Sequence, residues 1–174
     1  EATFLRAEYE LRWGSESAAQ DLYEQAVALS FEERGVQGAE AYLAQADAVP
    51  ANYVDNVGTD NIAALSKITI PWEPGAGNWE SNLERIITQK YIAIFPLGNE
   101  AWAEYRRTGY PRLFPTVNNK SGGTVTSEHG ARRLNYPTEE YTENPVHVAE
   151  AVEMLGGVDT PGVRLWWDVK PYNE

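Results

Sequence analysis

A helical period broken by a single glycine constrains this chain more than any other feature. Phe4, Ala7 and Leu11 recur at i, i+3 and i+7, while Leu5, Tyr9 and Trp13 recur at i, i+4 and i+8. That spacing lines up side chains on adjoining stripes of an α-helix. Gly14 supplies a C-terminal stop. Ser17 with Gln20 then matches a capping box for a second helix. Its stripe is Ala19, Tyr23, Ala26 and Ser30, flanked by Leu22 and Val27, and it runs to about Arg34 before Gly35. Two helices joined by so tight a turn predict an antiparallel αα-hairpin.

The alternation of small and large residues at Ala7, Leu22, Tyr23 and Ala26 is similar to a tetratricopeptide unit. No second copy follows at a period of about 34 residues. One hairpin cannot bury its own face, so neighbouring hairpins are expected upstream of Glu1, and the N-terminus reads as a truncated start. An Ala-rich stretch, 37–48, predicts a further helix that stops before Pro50. From Pro50 to Asn78 the chain is rich in Pro and Gly, with a short helical piece expected near Asn61–Lys67. A long irregular excursion of this kind is often functional.

Asn78 is placed to cap an amphipathic helix with Trp79, Leu83, Ile86, Ile87, Lys90, Tyr91 and Ile94 on one broad face. Pro96 and Gly98 end it. Asn99 opens a shorter helix in which Arg106 and Arg107 suit the C-terminal dipole, before Gly109 and Pro111. Residues 113–136 read as loop. A last helix follows, with Asn144 as cap and Pro145 at its first position. The tail from Asp159 to Glu174 is expected to pack on the helices, because Leu165, Trp166 and Trp167 are adjacent large apolar residues. The fold class is therefore mostly α: a tetratricopeptide-like αα-hairpin plus an irregular, loop-rich helical C-terminal region. It forms one region, 1–174, with helices over 1–49, the excursion over 50–78 and the helical C-terminal part over 79–174.

Composition removes several functions. The net charge is −12, which disfavours nucleic acid and anionic lipid, since both need clustered cations. With no cysteine, disulfides, thiolate zinc sites and cysteine nucleophiles are excluded. No stretch approaches the roughly 20 apolar residues that span a bilayer. His129 and His147 fall at no metal-ligand spacing, and no metal or cofactor is expected. Neither a G-x-S-x-G nor a P-loop is present. No motif singles out a carboxylate pair for glycoside hydrolysis. The chain reads as non-catalytic.

The aromatic content is 6 Trp and 10 Tyr against 4 Phe. Flat rings with a polar handle suit both interfaces and sugar stacking. In the excursion Tyr53, Trp72, Glu73, Asn78 and Trp79 cluster in sequence, with Asn52 upstream. A sugar presents C–H faces to rings and hydroxyls to carboxylates and amides, so these five are the candidate ligand-binding residues. Trp79 reads more readily as the first core residue of its helix, while for Trp72 binding and packing stand level.

The stretch 84–93 (ERIITQKYIA) followed by 100–113 (EAWAEYRRTGYPRL) resembles the SusD/RagB family. Three further pieces agree. Phe4 to Glu8 looks like the start of that family's later helical repeat, Arg132 to Pro137 with Glu140 and Asn144 resembles its distal motif, and Arg164 to Asp168 looks like its C-terminal signature. Family members are outer-membrane lipoproteins that capture nutrients, often glycans, for a TonB-dependent transporter. They are longer and begin with a lipobox cysteine, so the resemblance implies a C-terminal fragment. It also implies a SusC-like transporter and a glycan as partners, surface exposure at the cell outer membrane, and attachment only through a lipid anchor outside this chain.

The motif residues themselves read as structural. These are Gln89, Lys90, Trp102, Tyr105, Arg106, Arg107, Tyr110, Pro111 and Arg112, with Arg132, Arg133, Tyr136 and Pro137 in the distal motif. Planar guanidinium groups can satisfy several carbonyls or a carboxylate at once. A buried Arg–Glu network, including Glu104 with Arg107 or Thr108, is expected to orient the Tyr110–Pro111 turn. The rival reading of the whole is a helical-repeat protein-interaction module that binds no glycan. Coplanar, solvent-facing Trp72 and Tyr53 favour the glycan platform; burial of both favours the scaffold.

Overall fold

The two stripes of the first helix have opposite fates. In the computed structural model, which describes residues 1–170, α1 (Ala2–Trp13) buries Phe4 and Ala7 and turns Leu5, Tyr9 and Trp13 to solvent. α2 (Glu16–Glu33) packs antiparallel along it and buries Ala19, Tyr23, Ala26 and Val27. The cap of α2 is Ser15 and not Ser17: Ser15 is extended and its Oγ accepts from the Ala18 N–H at 3.2 Å. Ser17 lies one residue inside the first turn, too late to cap.

The Ala-rich stretch forms only α3 (Ala39–Leu43), shorter than expected. Nothing large and apolar follows Leu43 on a helical period, so packing does not propagate the helix toward Pro50. Tyr42 and Leu43 pack against the core and hold what forms.

No helix forms near 61–67. Tyr53 and Ile62 instead exchange both backbone hydrogen bonds across an isolated antiparallel bridge, at 2.9 and 3.1 Å. The Asp55 carboxylate accepts from the Val57, Gly58 and Asp60 N–H groups, and Asn61 Oδ1 accepts from the Asp55 N–H. Short polar side chains bonded to nearby backbone outcompete the helical turn here. These backbone donors, led by Gly58, hold the Asp55 carboxyl below its ordinary range.

α4 (Trp79–Ala93) lies across the hairpin, after a single 3-10 turn at Ala76–Asn78. Leu83, Ile86 and Ile87 fill the core against α1 and α2. Each such side chain contributes about 1.5–3 kcal/mol when fully buried. Asn78 precedes the helix, but its side chain makes no cap; its Nδ2 donates to the Pro74 carbonyl. Arg34 closes the far end, donating to the Ala93 and Phe95 carbonyls left open where α4 stops. α5 (Gly98–Thr108) begins at Gly98, with Asn99 inside its first turn, and ends on Gly109 at φ 77°. The peptide bonds before Pro96 and Pro111 are cis.

The chain divides into two compact units, Glu1–Leu113 and Phe114–Glu174. In the second, residues 114–136 are irregular and two helices follow: α6 (Thr138–Glu143), which the sequence does not announce, and α7 (Pro145–Met154). Asn144 again makes no side-chain cap to α7. Trp166 departs from the expected packing of the tail: it is 88% exposed while Leu165 and Trp167 are half-buried. Asp168, next but one, is buried, and its N–H donates to the Leu165 carbonyl at 2.9 Å across the turn that holds Trp166. Positions 171–174 of the expected tail lie outside the described residues. Among the described residues there is no strand, and the protein is a mostly α fold.

Candidate functional site

The candidate residues of the excursion fall in different surroundings. Trp72 is only 6% exposed and meets Tyr23 with ring centroids 5.8 Å apart, so it is a core residue. Its indole N–H has no hydrogen-bond partner among the described residues. Tyr23 in turn donates its hydroxyl to the Ile70 carbonyl at 2.7 Å, and burial pushes that phenol well up from its ordinary range. Trp79 is half-buried; its N–H donates to the Leu11 carbonyl at 3.0 Å, and the Arg12 guanidinium lies over its ring. Tyr53 is 48% exposed and Asn78 is half-buried. Trp72 and Tyr53 therefore form no open coplanar pair.

Glu73 sits at a polar cleft of about 420 Å³. Asn82 and Arg85, one helical turn apart on α4, clamp the approaching chain. Asn82 Nδ2 donates to the Glu73 carbonyl at 2.8 Å, and Arg85 donates to the Thr69 carbonyl at 3.0 Å and to Asn82 Oδ1 at 3.1 Å. Arg85 Nη2 also reaches Glu73 Oε1 at 2.6 Å. Ser81, Glu84 and Arg85 stand at i, i+3 and i+4 and so share one face of α4 over this cleft. Arg112 closes it with Nε 3.3 Å from Glu84 Oε2, and Lys67 stands at the rim.

A second cavity, of about 330 Å³, has apolar walls including Val49, Ile68, Ile70 and Ile92. Its polar pair is Tyr42 and Gln89, hydroxyl to side-chain amide.

The remaining motif residues build a belt of ion pairs around the hairpin. Lys90, 1% exposed on its side chain, reaches Glu100 at 3.0 Å and Glu104 at 3.5 Å. Arg107 donates to Glu104 and, through two nitrogens at 2.6 Å each, to both oxygens of Glu8. Arg12 adds a third donor to Glu8 at 2.8 Å. Burial alone would raise the Glu8 pKa, but the bonds from Arg107 and then Arg12 outweigh it and hold the carboxyl below its ordinary range. Lys90 likewise holds Glu100 low. Glu8 stands in the Phe4–Glu8 stretch, but nothing in the sequence marks it as an ion-pair partner beyond its position, i+4 from Phe4 on the buried edge of α1.

Thr108 Oγ1 donates to the Glu104 carbonyl at 2.7 Å and accepts from the Tyr110 N–H at 3.1 Å. Tyr110 donates to Glu80 at 2.6 Å, Pro111 is buried, and Arg106 lies 3.7 Å over the Trp102 ring. Tyr105 is half-buried in the last turn of α5.

In the second unit Arg132 donates to Asp168 through Nε at 2.7 Å and Nη2 at 2.9 Å, with both side chains buried. Arg133 pairs with Asp159, which also accepts from the Tyr136 N–H and the Tyr141 hydroxyl. Burial works to raise Asp159, but Arg133 and Tyr141 hold it below its ordinary range. Arg133 lies over the Tyr136 ring, and Pro137 leads directly into α6. Burial lowers the His129 pKa, and His147 pairs with Glu150 on the surface. Among the described residues no group of three or more His, Asp or Glu is placed to hold a metal ion, and no helix is long and apolar enough to cross a membrane.

Against known proteins, residues 1–168 match the SusD-like family, described as Susd and RagB outer membrane lipoprotein. No curated protein matches. A solved chitin-binding SusD homologue from Flavobacterium johnsoniae is 47% identical with a TM-score of 0.89, covering 99% of this chain and 36% of its own. A SusD homologue from Bacteroides uniformis is 52% identical, TM-score 0.89, over 97% of this chain and 36% of its own. One from Bacteroides thetaiotaomicron is 48% identical, TM-score 0.88, over 97% and 37%. The chain thus spans little more than a third of the length of these relatives. With its helical hairpin, its ion-paired 84–113 motif and this match over nearly all of its length, the chain belongs to the SusD/RagB family of outer membrane lipoproteins.

Proposed function

We propose that this protein is a non-catalytic, glycan-binding subunit of an outer-membrane TonB-dependent uptake complex, working beside a SusC-like transporter. The observation that carries the reading is family membership over residues 1–168, together with a 47% identical relative described as chitin-binding. The chemistry of the chain is compatible with holding a ligand without transforming it. The buried carboxylates of Glu8, Glu104 and Asp168 are engaged by arginine and lysine in structural pairs. Of the excursion residues, Tyr53 and Glu73 present accessible side chains for ligand contact. Trp72 and Trp79 serve it by fixing the backbone between them, and Asn78 by its bond to Pro74.

Isothermal titration of the full-length protein against an oligosaccharide panel tests this, starting with β-1,4-linked N-acetylglucosamine oligomers. A saturable isotherm with at least one oligosaccharide is expected. Folded protein that binds none sinks the glycan assignment. It would favour the rival protein-interaction module, for which the exposed Leu5, Tyr9 and Trp13 stripe offers surface.

A further inference from the structure

The polar cleft at Glu73 holds an inconsistency that its own neighbours do not resolve. Glu84 is 5% exposed, and among the described residues one of its carboxylate oxygens, Oε2, has a partner, Arg112 Nε at 3.3 Å. The other, Oε1, is buried and accepts no hydrogen bond from any of the described residues. A buried acceptor left unmatched costs about 1–3 kcal/mol, more when charged. The nearby donors are committed elsewhere: Arg85 to Thr69, Asn82 and Glu73, and the Tyr110 hydroxyl to Glu80.

Other groups at the cleft are open. Glu73 takes Arg85 on Oε1, and its side chain remains 45% exposed. Ser81 and Lys67 also line the cleft, Lys67 exposed at its rim, and Leu65 and Ile68 form an apolar wall. The cleft therefore presents carboxylate acceptors, an ammonium and a hydroxyl beside a small apolar surface. Its volume of about 420 Å³ falls within the usual span of ligand pockets, about 300–1,000 Å³.

These features select one ligand class. Each carboxylate is already paired with a guanidinium, Glu73 with Arg85 and Glu84 with Arg112, so an anion finds Lys67 alone as counter-charge; an apolar molecule leaves the charges unsolvated; and among the described residues no group of three or more His, Asp or Glu is placed to hold a metal ion. A pair of neighbouring hydroxyls fits, because each donates to a carboxylate while its oxygen accepts from an ammonium or guanidinium. The C–H face of the same ring can lie on Leu65 and Ile68. We propose that the cleft between Lys67, Glu73, Ser81, Glu84 and Arg112 is a subsite for one residue of a neutral saccharide, recognised through a vicinal diol. The proposal rests on the glycan-binding reading above and adds a site to it.

The test is isothermal titration of full-length protein with neutral hexasaccharides (chitohexaose, maltohexaose, cellohexaose) and with one uronic-acid oligomer. Wild type, Lys67→Ala, Ser81→Trp and Glu84→Gln are compared, with circular dichroism to confirm folding. Lys67 is exposed at the rim, so its variant folds even where the Glu84 variant does not. Affinity for the best neutral ligand is expected to fall at least about tenfold in Lys67→Ala, in folded Glu84→Gln and in Ser81→Trp, which fills the cleft. Unchanged affinity in these folded variants overturns the subsite and leaves the glycan-binding function standing. Preference for the uronic-acid oligomer overturns the neutral class. Folded wild type that binds no saccharide removes both the function and the subsite.

Discussion

The two units of the chain are held by different means. In the first, Phe4, Tyr23, Leu83, Ile86 and Ile87 form an apolar core, and the ion pairs of Glu8, Lys90 and Arg107 lie around it. In the second, Val148 is the one buried apolar side chain among the described residues, and the groups that share its burial are Arg132, Arg133 and Asp168. An apolar core loses stability in proportion to what is removed. A buried pair fails abruptly, because losing one member leaves the other charge buried.

The largest expected effect follows from that contrast. Asp168→Ala removes the bidentate partner of Arg132 and should destabilise the second unit by about 3–5 kcal/mol. Hydrogen exchange should show protection lost at residues 131–133 and through α7, with α4 amides retained. Equal loss over α4 would break the comparison. Next, Ile86→Ala in the apolar core should cost about 2–4 kcal/mol, read as a lower urea midpoint with an unchanged slope. A changed slope would mean that the core does more than pack.

The smallest effect is a pH dependence in the belt. Glu8 has a folded pKa below its ordinary value of 4.5, so the unfolded chain takes up its proton first on acidification. Its contribution is present above 4.5 and is lost as pH falls through the lower folded value. Thermal unfolding temperatures should therefore drop below pH 4.5 in wild type and drop less steeply in Glu8→Gln. Equal slopes would show that Glu8 is not the group responsible.

Periodicity made the helices legible, because it reports directly which face is buried. The hairpin, α4, α5 and α7 all follow from it, and so do the stops at Gly14, Gly35 and Gly109. Capping was read less well. A capping side chain can be drawn for any Asn, Ser or Thr near a helix start, and only the local backbone decides, as at Ser15 over Ser17 and at Asn78 and Asn144. The motif at 84–113 carried the family but could not give partners distant in sequence, such as Glu8 for Arg107 or Asp168 for Arg132. At the excursion, Trp72 looks the same in sequence whether it faces solvent or Tyr23. The Asn82 and Arg85 clamp, which draws 69–73 onto α4, and the Tyr23 bond to the Ile70 carbonyl hold it inside.

That belt also has a kinetic meaning. α1 and α2 touch through contacts close in sequence, whereas Arg107 reaches Glu8 across 99 positions. Closing so long a loop is entropically unfavourable, and contacts of this range form late. A bond made after the folding barrier leaves the rate of folding alone and slows only the return journey. The Arg107–Glu8 clasp is thus expected to set how long the first unit stays closed, not how quickly it closes.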